Sequence, residues 1–173
     1  RDIVAETVAE NPEVRKTLRN ILRDNGLVSS KAIPDKTQGP TKFEQYYEFA
    51  EPVAQIPSHR FLAIRRGERE GFLRVGLDVD EAKTIPYINS TMGVKTSSPY
   101  GALYSEAIED AYNRLLTPTL ETDIRVDLKM SSDRAAVDIF ANNLRSLLLA
   151  APLGTKAVLG IDPGLRTGCK CVA

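Results

Sequence analysis

Thr117–Ala150 reads TPTLETDIRVDLKMSSDRAAVDIFANNLRSLLLA. Leu120, Ile124 and Leu128, then Ala136, Phe140, Leu144, Leu147 and Leu148, recur at the three-to-four residue spacing of one helix face. Thr117 before Pro118 is a cap-then-proline start. The stretch predicts a helix of about 30 residues, about 45 Å long at 1.5 Å per residue. Ser131-Ser132-Asp133 offers a capping point that would divide it. A helix of that length needs bracing along an apolar stripe, because an isolated helix is marginal in water.

Working toward the N-terminus, Ser98-Pro99 repeats the same start. Leu103, Ala107, Ala111 and Leu115 mark a helix face there, with Tyr100, Tyr104 and Tyr112 beside it. Thr84–Ser98 is mixed and turn-rich and reads as irregular. Leu73, Val75, Leu77 and Val79 alternate, so Gly71–Val79 reads as a strand. Ser58 would cap a helix to about Arg69, although Phe61–Ile64 also fits a strand. Thr41 would open a helix carrying Phe43, Tyr46, Tyr47 and Ala50, ending near Pro52. Ser29–Gly39, rich in Ser, Pro and Gly, reads as an exposed loop. Asn11-Pro12-Glu13 opens a helix through Val14, Leu18, Ile21 and Leu22, stopped by a left-handed Gly26. A shorter helix holds Ile3, Val4 and Val8.

On the other side, Pro152–Thr155 is a linker. Ala157–Ile161 reads as a buried-type strand, Asp162-Pro163-Gly164 as a turn, and Gly168–Ala173 as a returning strand. The fold class is therefore mainly α: multi-helical, with a long spine helix and one or two strands, followed by the truncated start of an α/β domain. The expected domains are 1–152 and 153–173.

The chain has 173 residues, with 23 basic and 23 acidic side chains, one His, two Cys and no Trp. Zero net charge removes the simplest argument for nucleic-acid binding, a strongly basic domain. No apolar run approaches the roughly 18 residues of a membrane span. Arg1 in place of Met, and an end inside an apolar run, lead us to read the chain as a piece of a longer protein.

Few residues have the chemistry of a site. Asp162, at a strand end before a Gly turn, offers one hard oxygen ligand to a divalent cation, but Asp-Pro-Gly is equally a plain turn. Two-metal phosphoryl chemistry needs several carboxylates around its ions. Arg60, Arg65, Arg66, Arg69 and Arg74 form a basic stretch that could contact phosphates. Their bland reading is a solvated face laced with Arg–Glu pairs. The acids between Glu106 and Asp138 read either as a contact face or as helix-surface pairs, Asp110/Arg114, Glu121/Arg125 and Arg134/Asp138. His59 has no nucleophile placed beside it. Cys169 and Cys171 make half a zinc site at most and read as buried strand thiols. Gly39-Pro40-Thr41-Lys42 lacks P-loop glycine spacing.

Ala157–Lys170 (AVLGIDPGLRTGCK) resembles the opening of the YqgF-type domain of bacterial Tex transcription accessory proteins, an RNase H-like domain related to the resolvase RuvC. Arg1–Glu6 with Val14–Lys16, Ile56–Arg60, Arg66–Gly71 and Leu144–Pro152 fit the same family. The resemblance implies a cytoplasmic, multidomain, nucleic-acid-binding protein of transcription, with an S1 RNA-binding domain outside this chain. Its first helices would be the tail of an N-terminal helical region. In RuvC-like nucleases the strand-one Asp binds metal, so Asp162 becomes a vestigial metal candidate; Tex-type members are considered to lack the full carboxylate set. We expect no catalytic residues, no cofactor and no enzyme activity in this chain. The expected role is a non-catalytic structural segment linking N-terminal helices to the RNase H-like domain. The expected partners are RNA or DNA, met mainly through other domains, and the transcription machinery. The alternatives are part of a RuvC-like metal-dependent nuclease whose other carboxylates lie elsewhere, or a protein-docking helical module.

Overall fold

The computed structural model describes residues 2–36, 39, 41–79, 81–94 and 98–173. It forms two compact units, Arg1–Val137 and Asp138–Ala173. The chain is mostly helical, with one small antiparallel sheet, a separate hairpin and one long helix.

Helices α1 (Asp2–Glu10) and α2 (Pro12–Asn25) are divided at Asn11, whose side chain accepts from the backbone N–H groups of Glu13 and Val14. That is the cap the Asn-Pro-Glu run predicts. Gly26 does end α2, but with φ −70° and ψ 152° rather than in the left-handed region. Its glycine requirement is space: a Cβ there would lie 2.2 Å from the Leu22 carbonyl oxygen.

Strand β1 (Leu27–Ala32) follows at once, where a loop is expected. It is the central strand of a sheet ordered β2–β1–β3, with β2 spanning Glu48–Pro52 and β3 spanning Leu73–Asp78. Val28 and Ser30 face inward and are buried, and the Ser30 hydroxyl donates to the Tyr46 carbonyl at 2.6 Å. Satisfying that hydroxyl lets a serine occupy a core position. Residues 37 and 38 of the expected loop lie outside the described residues. The helix expected from Thr41 is instead one short turn, Glu44–Tyr46, leading into β2. β3 matches its alternating pattern, with Leu73, Val75 and Leu77 buried.

Helix α3 (Ser58–Arg69) packs on β3. Phe61, Ile64 and Gly67 form its buried face. At Gly67 the approach is so close that a Cβ would lie 2.6 Å from Leu73 Cδ1 and 3.1 Å from Phe43 Cδ1. Helix α4 (Glu81–Thr91) occupies most of the segment read as irregular, with Pro86 inside it. Ile88 buries fully, and the Tyr87 hydroxyl donates to Thr17 Oγ1 on α2 at 2.9 Å. Residues 95–97 of that segment lie outside the described residues.

From Gly101 the backbone is helical without a break to Leu148: α5 (Gly101–Asp110), a π-helical stretch (Ala111–Leu116) and α6 (Thr117–Leu148). Thr117-Pro118 therefore does not start a new helix. Pro118 has no N–H to give, and its ring would strike the carbonyl four residues back in a regular α-helix. The helix widens instead, with the Thr117 N–H bonding the Tyr112 carbonyl five residues earlier. Ser131–Asp133 does not divide α6 either, and Ser132 is buried. Leu116, Leu120 and Ile124 sit in the core with Val8, Ile108 and Tyr112.

In the second unit, β4 (Gly160–Pro163) and β5 (Cys169–Val172) pair as an antiparallel hairpin. The first strand begins later than the apolar run suggests, and both strands are exposed rather than buried. Cys169 and Cys171 are free and exposed, which corrects the expectation of buried thiols. Along the end of α6, Phe140, Leu144, Leu147 and Leu148 are exposed.

Candidate nucleic-acid interface

The five expected arginines divide by geometry. Leu62, Arg65, Arg66 and Arg69 fall at i, i+3, i+4 and i+7, which is one stripe of a helix. They line a surface groove of about 590 Å³ together with Glu68 of α3 and Lys129 of α6. Arg60 lies off that stripe and pairs with Glu51 at 2.9 Å. Arg74 is exposed on β3, opposite Lys31 of β1. The structure thus gathers Arg65, Arg66 and Arg69 and adds Lys129, while Arg60 and Arg74 stand apart.

Carboxylates hold much of this charge. Arg65 Nη1 and Arg125 Nη2 both donate to Glu68, from opposite helices. Arg125 also reaches Glu121 at 3.3 Å and the Val75 carbonyl at 3.4 Å. This network ties α3, α6 and the free edge of β3 together, and fixes one wall of the groove against the other. Lys129 pairs with Asp133. Arg69 is exposed and has no acidic partner among the described residues. The Arg–Glu pairing of the bland reading is therefore present at Arg60, Arg65 and Arg66, and among the described residues it is absent at Arg69 and Arg74.

Glu70, just past the end of α3, holds two further cations. Lys42 donates to it at 3.0 Å and the Arg66 Nε at 2.8 Å. Those two hydrogen bonds, Lys42 first, lower the Glu70 pKa below the ordinary glutamate value. A carboxylate depressed in the folded state adds stability above its unfolded pKa, and loses it as the pH falls through the folded one. The midpoint difference between the wild-type chain and Glu70→Gln in urea melts is thus expected to be constant near neutrality. It should shrink to nothing as the solution is taken through and below the ordinary carboxylate range. A difference independent of pH contradicts this.

Several acids between Glu106 and Asp138 are also engaged. Asp110 pairs with Arg114 at 2.7 Å, and Asp127 with Arg19 at 2.8 Å and Arg23 at 3.4 Å. The hydrogen bond and charge of Asp127 raise the Arg19 pKa. Arg134 and Asp138 form no ion pair among the described residues. Tyr112 is buried, and Tyr100 and Tyr104 are exposed.

His59 is exposed in the first turn of α3. Asp162 is exposed on β4, across from Lys170. A hard cation takes about six to eight oxygens; a single carboxylate facing a lysine does not fit one, and no chemical step follows from it. Among the described residues no three His, Cys, Asp or Glu side chains group so as to hold a metal. None of the described helices is long and apolar enough to cross a membrane.

Arg65, Arg66 and Arg69 of α3 and Lys129 of α6 thus line one basic groove. Residues 1–140 match the family model described as Tex central region-like, and the chain belongs to that family. It is 36% identical over 183 residues to "Protein tex" of Bordetella pertussis, covering 98% of this chain and 23% of that protein. It is 34% identical over 178 residues to "Transcriptional accessory protein Tex" of Neisseria gonorrhoeae, covering 99% and 23%. A more distant relative is the human "S1 RNA-binding domain-containing protein 1", 27% identical over 183 residues, 97% of this chain and 18% of that one. The chain thus spans about a quarter of the length of the bacterial relatives.

Proposed function

We propose that this chain is a non-catalytic structural segment of a nucleic-acid-binding transcription accessory protein, with α6 linking the helical region to an RNase H-like domain that the β4–β5 hairpin begins. The observation that carries this reading is α6 itself. It runs unbroken from Thr117 to Leu148, rooted in the core at Leu120 and Ile124, and ends in the exposed apolar side chains of Phe140, Leu144 and Leu147. A continuous helix is a stiffer connection than a flexible linker of equal length. The Tex relatives supply the transcriptional setting, and the name of the human relative supplies RNA as a class of partner. The partner is RNA or DNA, bound mainly through domains beyond this chain, with the transcription machinery as a second partner, in the cytoplasm and without a cofactor.

The test is a cleavage assay. The chain is incubated with labelled single-stranded RNA, single-stranded DNA and duplex DNA, with Mg²⁺ or Mn²⁺. All substrates are expected to remain intact, for the wild-type chain and for Asp162→Ala alike. Metal-dependent cleavage that disappears in Asp162→Ala overturns the non-catalytic assignment in favour of a RuvC-like nuclease.

A further inference from the structure

We propose that the groove between α3 and α6 binds the phosphodiester backbone of a nucleic acid, through Arg65, Arg66, Arg69 and Lys129. The inference rests on the nucleic-acid reading above and gives it a place on this chain.

Four cationic side chains from two helices line one groove. A guanidinium carries five N–H donors. Arg65 spends Nη1 on Glu68, and Arg66 spends Nε on Glu70. Each keeps further donors for a phosphate oxygen, and each is already held in place by its carboxylate. That lowers the entropy lost when a ligand fixes a long side chain. Arg69, exposed and with no acid beside it among the described residues, carries charge that nothing in the groove balances. Arg65 and Arg69 are one turn apart, about 6 Å along the axis at 1.5 Å per residue. This regular spacing suits a polymer with one charge per repeat. Lys129, on the facing helix, adds a compact ammonium whose pair with Asp133 is exposed and so exchangeable at small cost.

The lining also limits what is read. Among the described residues that line it, Leu62 is the one apolar side chain and none is aromatic. Base stacking needs such rings, so contact here goes to phosphates and is indifferent to sequence. An acidic peptide offers only carboxylates, the group that Glu68 and Glu70 already supply to these arginines.

The experiment is fluorescence anisotropy on the whole chain, with a labelled oligouridylate and a labelled DNA duplex of equal length, titrated from low to moderate salt. The double variant Arg69→Gln/Lys129→Gln is expected to bind about tenfold more weakly at low salt. The slope of log K against log salt should fall by about two, one per phosphate contact removed. Arg74→Gln, on the sheet, should behave as wild type, and circular dichroism melts should show that both variants fold. The arm with the larger loss identifies single strand or duplex as the ligand. The proposal is overturned if the double variant keeps wild-type affinity and slope, or if Arg74→Gln loses as much. It is equally overturned if polyglutamate binds more tightly than either probe. Absence of any wild-type binding at low salt also ends it, while leaving the cleavage test of the structural role untouched.

Discussion

Phe61→Ala is expected to destabilise the chain by about 3–5 kcal/mol, the range for truncating a buried Phe. Phe61 is 1% exposed and lies on the α3 face turned to the sheet, with Ile64 as its neighbour one turn on. Removing its ring leaves a void that close-packed neighbours refill only in part. A stability of 5–15 kcal/mol is ordinary for one domain, so this loss is a large share of the whole. Urea melts followed by circular dichroism measure it directly, and a shift below about 1 kcal/mol would show that α3 is not seated as described. The consequence reaches the groove, because the same helix displays Arg65, Arg66 and Arg69 on its other side.

Gly67→Val acts on the same contact from the opposite direction. The glycine lets α3 approach so closely that the first added carbon meets Leu73, a residue 1% exposed, at 2.6 Å. The same added carbon would lie 3.0 Å from Leu73 Cγ and 3.1 Å from Phe43 Cδ1, and both side chains are buried. Overpacking of this kind costs about 1–3 kcal/mol, and a β-branched residue adds its own loss of helix propensity. Gly67→Ala should cost less, because alanine recovers up to about 1 kcal/mol of helix propensity at that position. The expected order of urea midpoints is wild type, then Ala at or below it, then Val lowest. A valine variant as stable as the wild type would mean that α3 stands further from β3 than this.

Where local rules decided the structure, the sequence was readable. Asn11-Pro12 sets the start of α2, the alternation of Leu73, Val75 and Leu77 sets β3, and the apolar spacing of Leu120 and Ile124 sets the buried face of α6. Where tertiary contacts decided it, reading failed. β1 carries two serines and looks like a loop, yet one of them fills a core site because the Tyr46 carbonyl accepts its hydroxyl. Phe43, Tyr46, Tyr47 and Ala50 have helical spacing, but pairing with β1 draws Glu48–Pro52 into the sheet. The mixed, turn-rich composition of Thr84–Ser98 hid α4, and Pro118 suggested a helix start where the chain only widens its turn.

The candidate site was half legible. Proximity along the chain grouped Arg60 and Arg74 with the others, although they point elsewhere. The i, i+3, i+4, i+7 rule on α3 would have separated Arg65, Arg66 and Arg69 from them. Lys129 could not be found that way, because it is 60 positions beyond Arg69 and only the packing of α6 near α3 brings it close. The bridge from Glu68 to Arg125 on α6 was invisible for the same reason, whereas the Arg65–Glu68 pair lies within one helix and falls among the expected Arg–Glu pairs.

Amide hydrogen exchange along α6 tests the role of that helix most directly. A helix rooted in the core at Leu120 and Ile124 should carry backbone amides between Leu120 and Lys129 that exchange only through global unfolding, with a urea dependence equal to that of the whole first unit. Those of the exposed β4–β5 hairpin should exchange through local opening, since two strands alone are marginal in water. Fast, urea-independent exchange between Leu120 and Lys129 would contradict an anchored helix, and with it the structural role assigned to this chain.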